Sequence, residues 1–218
     1  MAQYQVAYNT NGQTKLFEFY LFVNPLGQLC HHVEQELHQA IDLIDAKTDL
    51  HILCYTSQQL VTRYMQQIGY APTDLAKRNE IFNKIYHAAL AYKAACLQGK
   101  RRGRQFLIEM QARIHEDLAL LTDDFILNLA QELGLDLPAF QSDWKSKYVR
   151  DLYYRDQQIA YDMSIDDTPS LVVFEQCSGD NGILLQGLLQ CHQILAHLDH
   201  LVANGCHAPK APVLTLIK

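Results

Sequence analysis

Between Lys15 and Val23 the chain reads KLFEFYLFV, an almost continuous apolar and aromatic run. Such a run predicts a strand buried on both faces of a sheet. Asn24 and Pro25 break it, and from Cys30 onward Val33, Leu37, Ala40, Ile41 and Ile44 recur at helical spacing. That stripe predicts an amphipathic helix reaching about Lys47. Leu50 to Thr56 then reads as a short strand. Strand, helix and strand in this order predict a βαβ unit with a parallel pair, because a parallel return needs a crossover element.

The middle of the chain carries no convincing strand between Ser57 and Met163. Thr73 is placed to cap a long helix through Ile81, Ile85, Ala88, Ala89, Tyr92 and Cys96, with Gly99 as its stop. A second helix is predicted from about Arg104 to Glu116. Thr122 precedes Asp123 and Asp124 and caps a third through Phe125, Ile126, Leu129, Ala130 and Leu133, stopped by Gly134. A fourth starts near Pro138 and continues through Trp144, Tyr148 and Leu152 toward Met163. Its Tyr148, Tyr153, Tyr154 and Tyr161 are expected to pack between helix and sheet.

Strand signals then resume. SLVVFE (Ser170 to Glu175) and GILLQG, joined by the turn-rich CSGDNG, predict a β-hairpin over Ser170 to Gly187. A last helix from about Leu188 to Val202 is expected to bury Leu188, Cys191, Leu195, Leu198 and Val202 and to stop at Asn204-Gly205, leaving a loosely held tail, APKAPVLTLIK. The sum is βαβ, helical insert, ββα: an α/β chain with a thioredoxin-like fold. Its sheet domain is expected over 1–57 and 164–218, and an all-helical insert domain over 58–163.

Composition narrows the function classes. The chain has 218 residues, 49% of them hydrophobic, enough for a substantial core. A net charge of -6 opposes nonspecific nucleic-acid binding, which needs a cationic surface to displace phosphate counterions. No stretch approaches the roughly 18 apolar residues of a membrane span, and MAQYQVAY lacks the pattern of a secretory signal. The expected location is cytoplasmic. The six cysteines (Cys30, Cys54, Cys96, Cys177, Cys191, Cys206) form no C-x-x-C pair, so they are expected to be free thiols serving mostly as small hydrophobes. His31-His32, and His197 with His200, do not make a metal-ligand set, and no metal is expected.

Three features carry chemistry: the strand-to-helix loop NPLGQLC (Asn24, Pro25, Leu26, Gly27, Gln28, Leu29, Cys30), the dipeptide Thr168-Pro169 opening a strand, and a helical insert between them. On these the chain resembles the DsbA-like proteins, most closely the cytoplasmic ClpXP-adaptor branch of the SpxH/YjbH type, whose loop reads D-P-L-C-x-x-C. Here Asn24 replaces the acidic residue, Gly27 replaces the first cysteine, and Cys30 matches the second. The resemblance implies a cis bond before Pro169 and a peptide-sized groove between that turn and the Gly27 loop. It also implies that the attacking thiol is missing, because the first cysteine, activated at the helix N-terminus, is the nucleophile of disulfide exchange.

Three functions follow from this resemblance. The first is an adaptor binding a client such as an Spx-like regulator for ClpXP proteolysis. The second is a monothiol oxidoreductase or isomerase using Cys30. The third is a glutathione-dependent enzyme like the kappa-class transferases or chromene-carboxylate isomerases, whose serine is absent at Gly27 and Gln28. No cofactor is expected under the first reading; glutathione belongs to the other two. Lys100, Arg101, Arg102 and Arg104 form the one dense cationic run, expected at a helix C-terminal boundary, where it is either a solvated turn or a dock for an acidic partner.

Overall fold

The computed structural model describes residues 6–7, 9–10, 13–114, 117–175, 182–204 and 214–217. The chain divides into two compact units, one over Met1–Phe22, His32–Leu53 and Asp166–Lys218, the other over Val23–His31 and Cys54–Ile165.

The first unit is built on a sheet. Its strands are β1 (Leu16–Val23), β2 (Lys47–Cys54), β3 (Ser170–Glu175), β4 (Gly182–Gln186) and β5 (Leu214–Ile217), hydrogen-bonded in the order β2-β1-β3-β4-β5. The predicted hairpin is present: β3 and β4 pair antiparallel with Ser170 opposite Gln186, while its CSGDNG link lies almost wholly outside the described residues. β1 runs antiparallel to β3. Along β1, Phe17, Phe19 and Leu21 are buried while Leu16, Glu18 and Tyr20 are half-buried. Both faces are buried only at the end of the strand, where Phe22 joins Leu21 and Val23; nearer its start one face is the core, and on the other Tyr20 stacks on His51, their centroids 4.8 Å apart.

The predicted loose tail is a second correction. Leu214–Ile217 forms β5, parallel to β4, with Leu216 opposite Leu184. Helix α1 (Gln28–Leu43) buries Cys30, Val33, Leu37 and Ala40 on the predicted stripe. The last helix, labelled α8 (Cys191–Asn204), begins three residues later than predicted. It buries Ile194, Leu198 and Leu201, whereas Leu188 before it is 55% exposed. The late start follows from a cap supplied in space: the Glu36 carboxylate accepts the Cys191 N–H at 2.7 Å. Gly205 of the predicted stop lies outside the described residues.

The second unit is helical and, among its described residues, has no strand of its own beyond the ends of β1 and β2. It contains α2 (Gln58–Gln67), α3 (Leu75–Leu97), α4 (Lys100–Ile114), α5 (Asp123–Glu132), α6 (Leu137–Trp144) and α7 (Lys147–Asp162). Three boundaries differ from the sequence reading. Asp74, not Thr73, caps α3, its carboxylate accepting the Lys77 N–H at 2.9 Å. α4 starts at Lys100, not Arg104, because a glycine at φ +126 lets the chain turn within Gly99 itself. The predicted fourth helix is two, since the Ser146 hydroxyl accepts the Val149 N–H at 3.1 Å and starts α7 afresh.

That restart sets the phase of α7. Val149, Tyr153, Asp156 and Ala160 face inward, and of the four tyrosines only Tyr153 is buried; Tyr148, Tyr154 and Tyr161 are 60%, 60% and 78% exposed. The backbone following β2 is held by side chains of this helix. Asp156 accepts the Cys54 N–H at 3.1 Å, and Gln157 accepts the Thr56 N–H at 3.0 Å while donating to the Cys54 carbonyl at 2.7 Å.

Candidate functional site

The redox-motif loop folds through its own short-range bonds. Asn24 Oδ1 accepts the Leu26 N–H at 3.0 Å, and the Gly27 N–H returns to the Asn24 carbonyl at 3.0 Å. This is an asparagine side chain mimicking a turn inside a backbone turn. The Gly27 carbonyl then accepts the His31 N–H at 3.1 Å, so Gly27 is the residue from which α1 starts. Glycine in that place costs only a few tenths of a kcal/mol against serine or aspartate. Asn24, Pro25, Leu26 and Gly27 are buried, and Gln28 and Leu29 are exposed.

Cys30 retains 2% of its surface. Its sulfur accepts the Asn24 N–H at 3.2 Å. Tyr64 closes the same loop, its hydroxyl donating to the Leu26 carbonyl at 3.1 Å. Burial, and secondarily the neighbouring Cys30, push the Tyr64 phenol up to about 12, so it remains a donor at any physiological pH. His31 Nδ1 lies 3.3 Å from Gln111 Oε1, a side chain only 3% exposed. Tyr64 and Gln111 escaped the sequence reading because they lie 38 and 80 residues from their partners and no spacing rule links them.

Gly27 is the chemical pivot. A Cβ built on it would stand 3.3 Å from Cys30 Sγ and 3.4 Å from the Asn24 Cβ. Cys30 therefore points its sulfur at position 27. The loop keeps the arrangement of a C-x-x-C pair with one thiol removed. With glycine at its first position the motif holds one thiol, so the loop by itself cannot run a two-thiol exchange cycle.

The other predicted residues are placed as follows. The Thr168-Pro169 bond is cis, in the sheet unit. Pro169 is buried and its carbonyl accepts the Gly187 N–H at 3.1 Å, while the Thr168 N–H donates to Asp167 Oδ1 at 2.8 Å. Lys100, Arg101 and Arg102 are exposed and Arg104 half-buried. They occupy the first turns of α4, not a helix C-terminus, so the helix dipole disfavours rather than explains them. Gly103 within the run packs on α3: a Cβ there would fall 2.3 Å from Cys96 Sγ. Among the described residues no group of three His, Cys, Asp or Glu side chains is placed to hold a metal ion, and no helix is long and apolar enough to cross a membrane.

Comparison with known proteins fits this geometry. A family model described as Thioredoxin matches residues 20–195. The ClpXP adapter protein SpxH of Staphylococcus aureus is 36% identical over 126 residues, covering 58% of this chain and 48% of the relative. The chain thus spans about half the length of the curated relatives it matches. Among solved structures, Pseudomonas aeruginosa DsbA2 superimposes with a TM-score of 0.61 at 18% identity, covering 85% of this chain and 88% of that one. A 2-hydroxychromene-2-carboxylate isomerase does so with a TM-score of 0.54 at 12% identity, covering 88% and 98%. At such identities the structures speak for the fold alone. With a matched model over most of its length, a DsbA-like fold, and a redox-position loop in which glycine replaces the first cysteine, the chain belongs to the thioredoxin family.

Proposed function

We propose that this chain acts by binding proteins, as an adaptor that presents a regulator of the Spx type to the ClpXP protease in the cytoplasm. The observation that carries this reading is the loop: one thiol, 2% exposed, facing a glycine. Recognition depends on surface complementarity and survives loss of a nucleophile, whereas exchange chemistry does not. The 36% identity to a protein named as a ClpXP adapter supports it. The exposed cations Lys100, Arg101 and Arg102, which local helix electrostatics disfavour, are proposed to dock an acidic face of a partner.

A second reading has its own support. The Asn24 N–H donates to Cys30 Sγ at 3.2 Å and the fold is that of thiol oxidoreductases, so Cys30 is the residue a monothiol exchange would use. One experiment separates the two. Degradation of an Spx-like regulator by purified ClpXP is followed with no addition, with the wild-type chain and with Cys30→Ala. The adaptor reading predicts several-fold faster loss with both proteins. Unchanged degradation with wild type contradicts it, and stimulation lost only in Cys30→Ala favours the monothiol reading.

A further inference from the structure

The sulfur of Cys30 is covered by its own loop. The Asn24 N–H donates to it at 3.2 Å, and a Cβ at position 27 would stand 3.3 Å from it, so the chain on both sides of Leu26 lies against the thiol. Within the loop the bonds are local: Asn24 Oδ1 accepts the Leu26 N–H, and the Asn24 carbonyl accepts the Gly27 N–H. Bonds of that span move with the loop and do not hold it down. Tyr64 differs, because it reaches in from α2, 38 residues along the chain, and its hydroxyl donates to the Leu26 carbonyl at 3.1 Å. Leu26 is 3% exposed, and all of these residues belong to the helical unit.

A buried carbonyl that loses its donor stays unsatisfied for as long as the loop is closed, whereas in an opened loop water replaces the phenol. Loss of the Tyr64 hydroxyl therefore raises the closed state and not the opened one. Opening of a short segment is separate from unfolding of the whole unit, since such segments open with their own free energies. The phenol stays a donor at neutral pH, because burial pushes it up to about 12. Gln28 and Leu29, which follow the loop on α1, are exposed. We propose that Tyr64 is a latch that withholds Cys30 from thiol reagents: its bond to Leu26 keeps Asn24 and Gly27 over the sulfur, and Cys30 reacts from a conformer in which that bond is broken. The latch keeps the thiol silent while Gln28 and Leu29 remain open to contact. It operates whether the chain serves as an adaptor or as a monothiol exchange protein, and in the second case it limits the fraction of molecules able to react.

The test is alkylation of the native full chain by iodoacetamide, in which a cysteine thiolate displaces iodide. Samples taken over time are digested and read by mass spectrometry, so that Cys30 and Cys54 are followed separately. Cys54, 0% exposed and in the same unit, with its backbone bonded to Asp156 and Gln157, reports wider unfolding. Tyr64→Phe keeps the ring and removes only the donor. It is expected to speed Cys30 labelling by about tenfold, the factor that corresponds to about 1.4 kcal/mol, and to leave the Cys54 rate unchanged. Tyr161→Phe, at a 78% exposed tyrosine of α7, is expected to change neither rate. An unchanged Cys30 rate in Tyr64→Phe overturns the proposal, because the bond then does not hold the loop. Equal acceleration of Cys30 and Cys54 overturns it as well, since that is a general loss of stability, and so does a Cys30 rate raised to the same degree by Tyr161→Phe.

Discussion

At the scale of single residues, the motif lacks the first cysteine's side chain at position 27, and the surroundings of Cys30 retain the form of a redox loop. The turn bonds of Asn24, the start of α1 at Gly27 and the Tyr64 hydroxyl on Leu26 do not depend on which side chain follows Leu26. Elsewhere Lys93 and Asp156 form a buried ion pair, 2.5 Å apart with side chains 13% and 7% exposed. Burial pulls the Lys93 ammonium down, but the Asp156 carboxylate more than offsets it and holds the lysine charged. Removing one member of such a pair strands the other. Lys93→Met is expected to cost about 3 kcal/mol in urea unfolding. Adding Asp156→Asn, which removes the stranded charge and keeps an acceptor for the Cys54 N–H, is expected to restore more than half of that. No recovery in the double variant would contradict the charge-stranding account.

At the scale of elements, the contact of α3 with α4 decides between two opposing effects at Gly103. Helix propensity alone makes glycine to alanine worth about 1 kcal/mol of added stability. Packing opposes it, because the new Cβ would lie 2.3 Å from Cys96 Sγ and 2.9 Å from Cys96 Cα, and backbone cannot give way as a side-chain tip can. Overpacking of this kind costs roughly 1–3 kcal/mol. Gly103→Ala is expected to lower the urea midpoint; a raised midpoint would mean that the helices separate freely.

Elements were legible in the sequence where a local signal exists. Thr122 capping α5 and the β3-β4 hairpin were both evident from local residues. α2 was not, since SQQLVTRYMQQ buries only Leu60, Val61 and Met65 and reads as polar. The break between α6 and α7 carries neither Gly nor Pro, and the pairing of β5 depends on a partner strand that four residues cannot reveal.

At the scale of the molecule, the order βαβ, helices, ββα was readable because strand and helix periodicities alternate clearly around a long helical middle, and the solved relatives share that fold. The candidate site was readable as a loop and as a missing cysteine. Its sealing was not, because Tyr64 and Gln111 reach it from distant helices of the same unit. On the function proposed above, the chain keeps redox geometry without redox chemistry. The most direct measurement is thiol-disulfide exchange on a disulfide-bonded test protein with glutathione supplied, comparing wild type, Cys30→Ala and Gly27→Cys. With a Cβ at position 27 only 3.3 Å from Cys30 Sγ, an added sulfur lies within reach of the roughly 2.05 Å S–S bond. Wild type and Cys30→Ala are expected to be equally inert, and Gly27→Cys to gain exchange activity. Activity in wild type that disappears in Cys30→Ala would contradict that proposal.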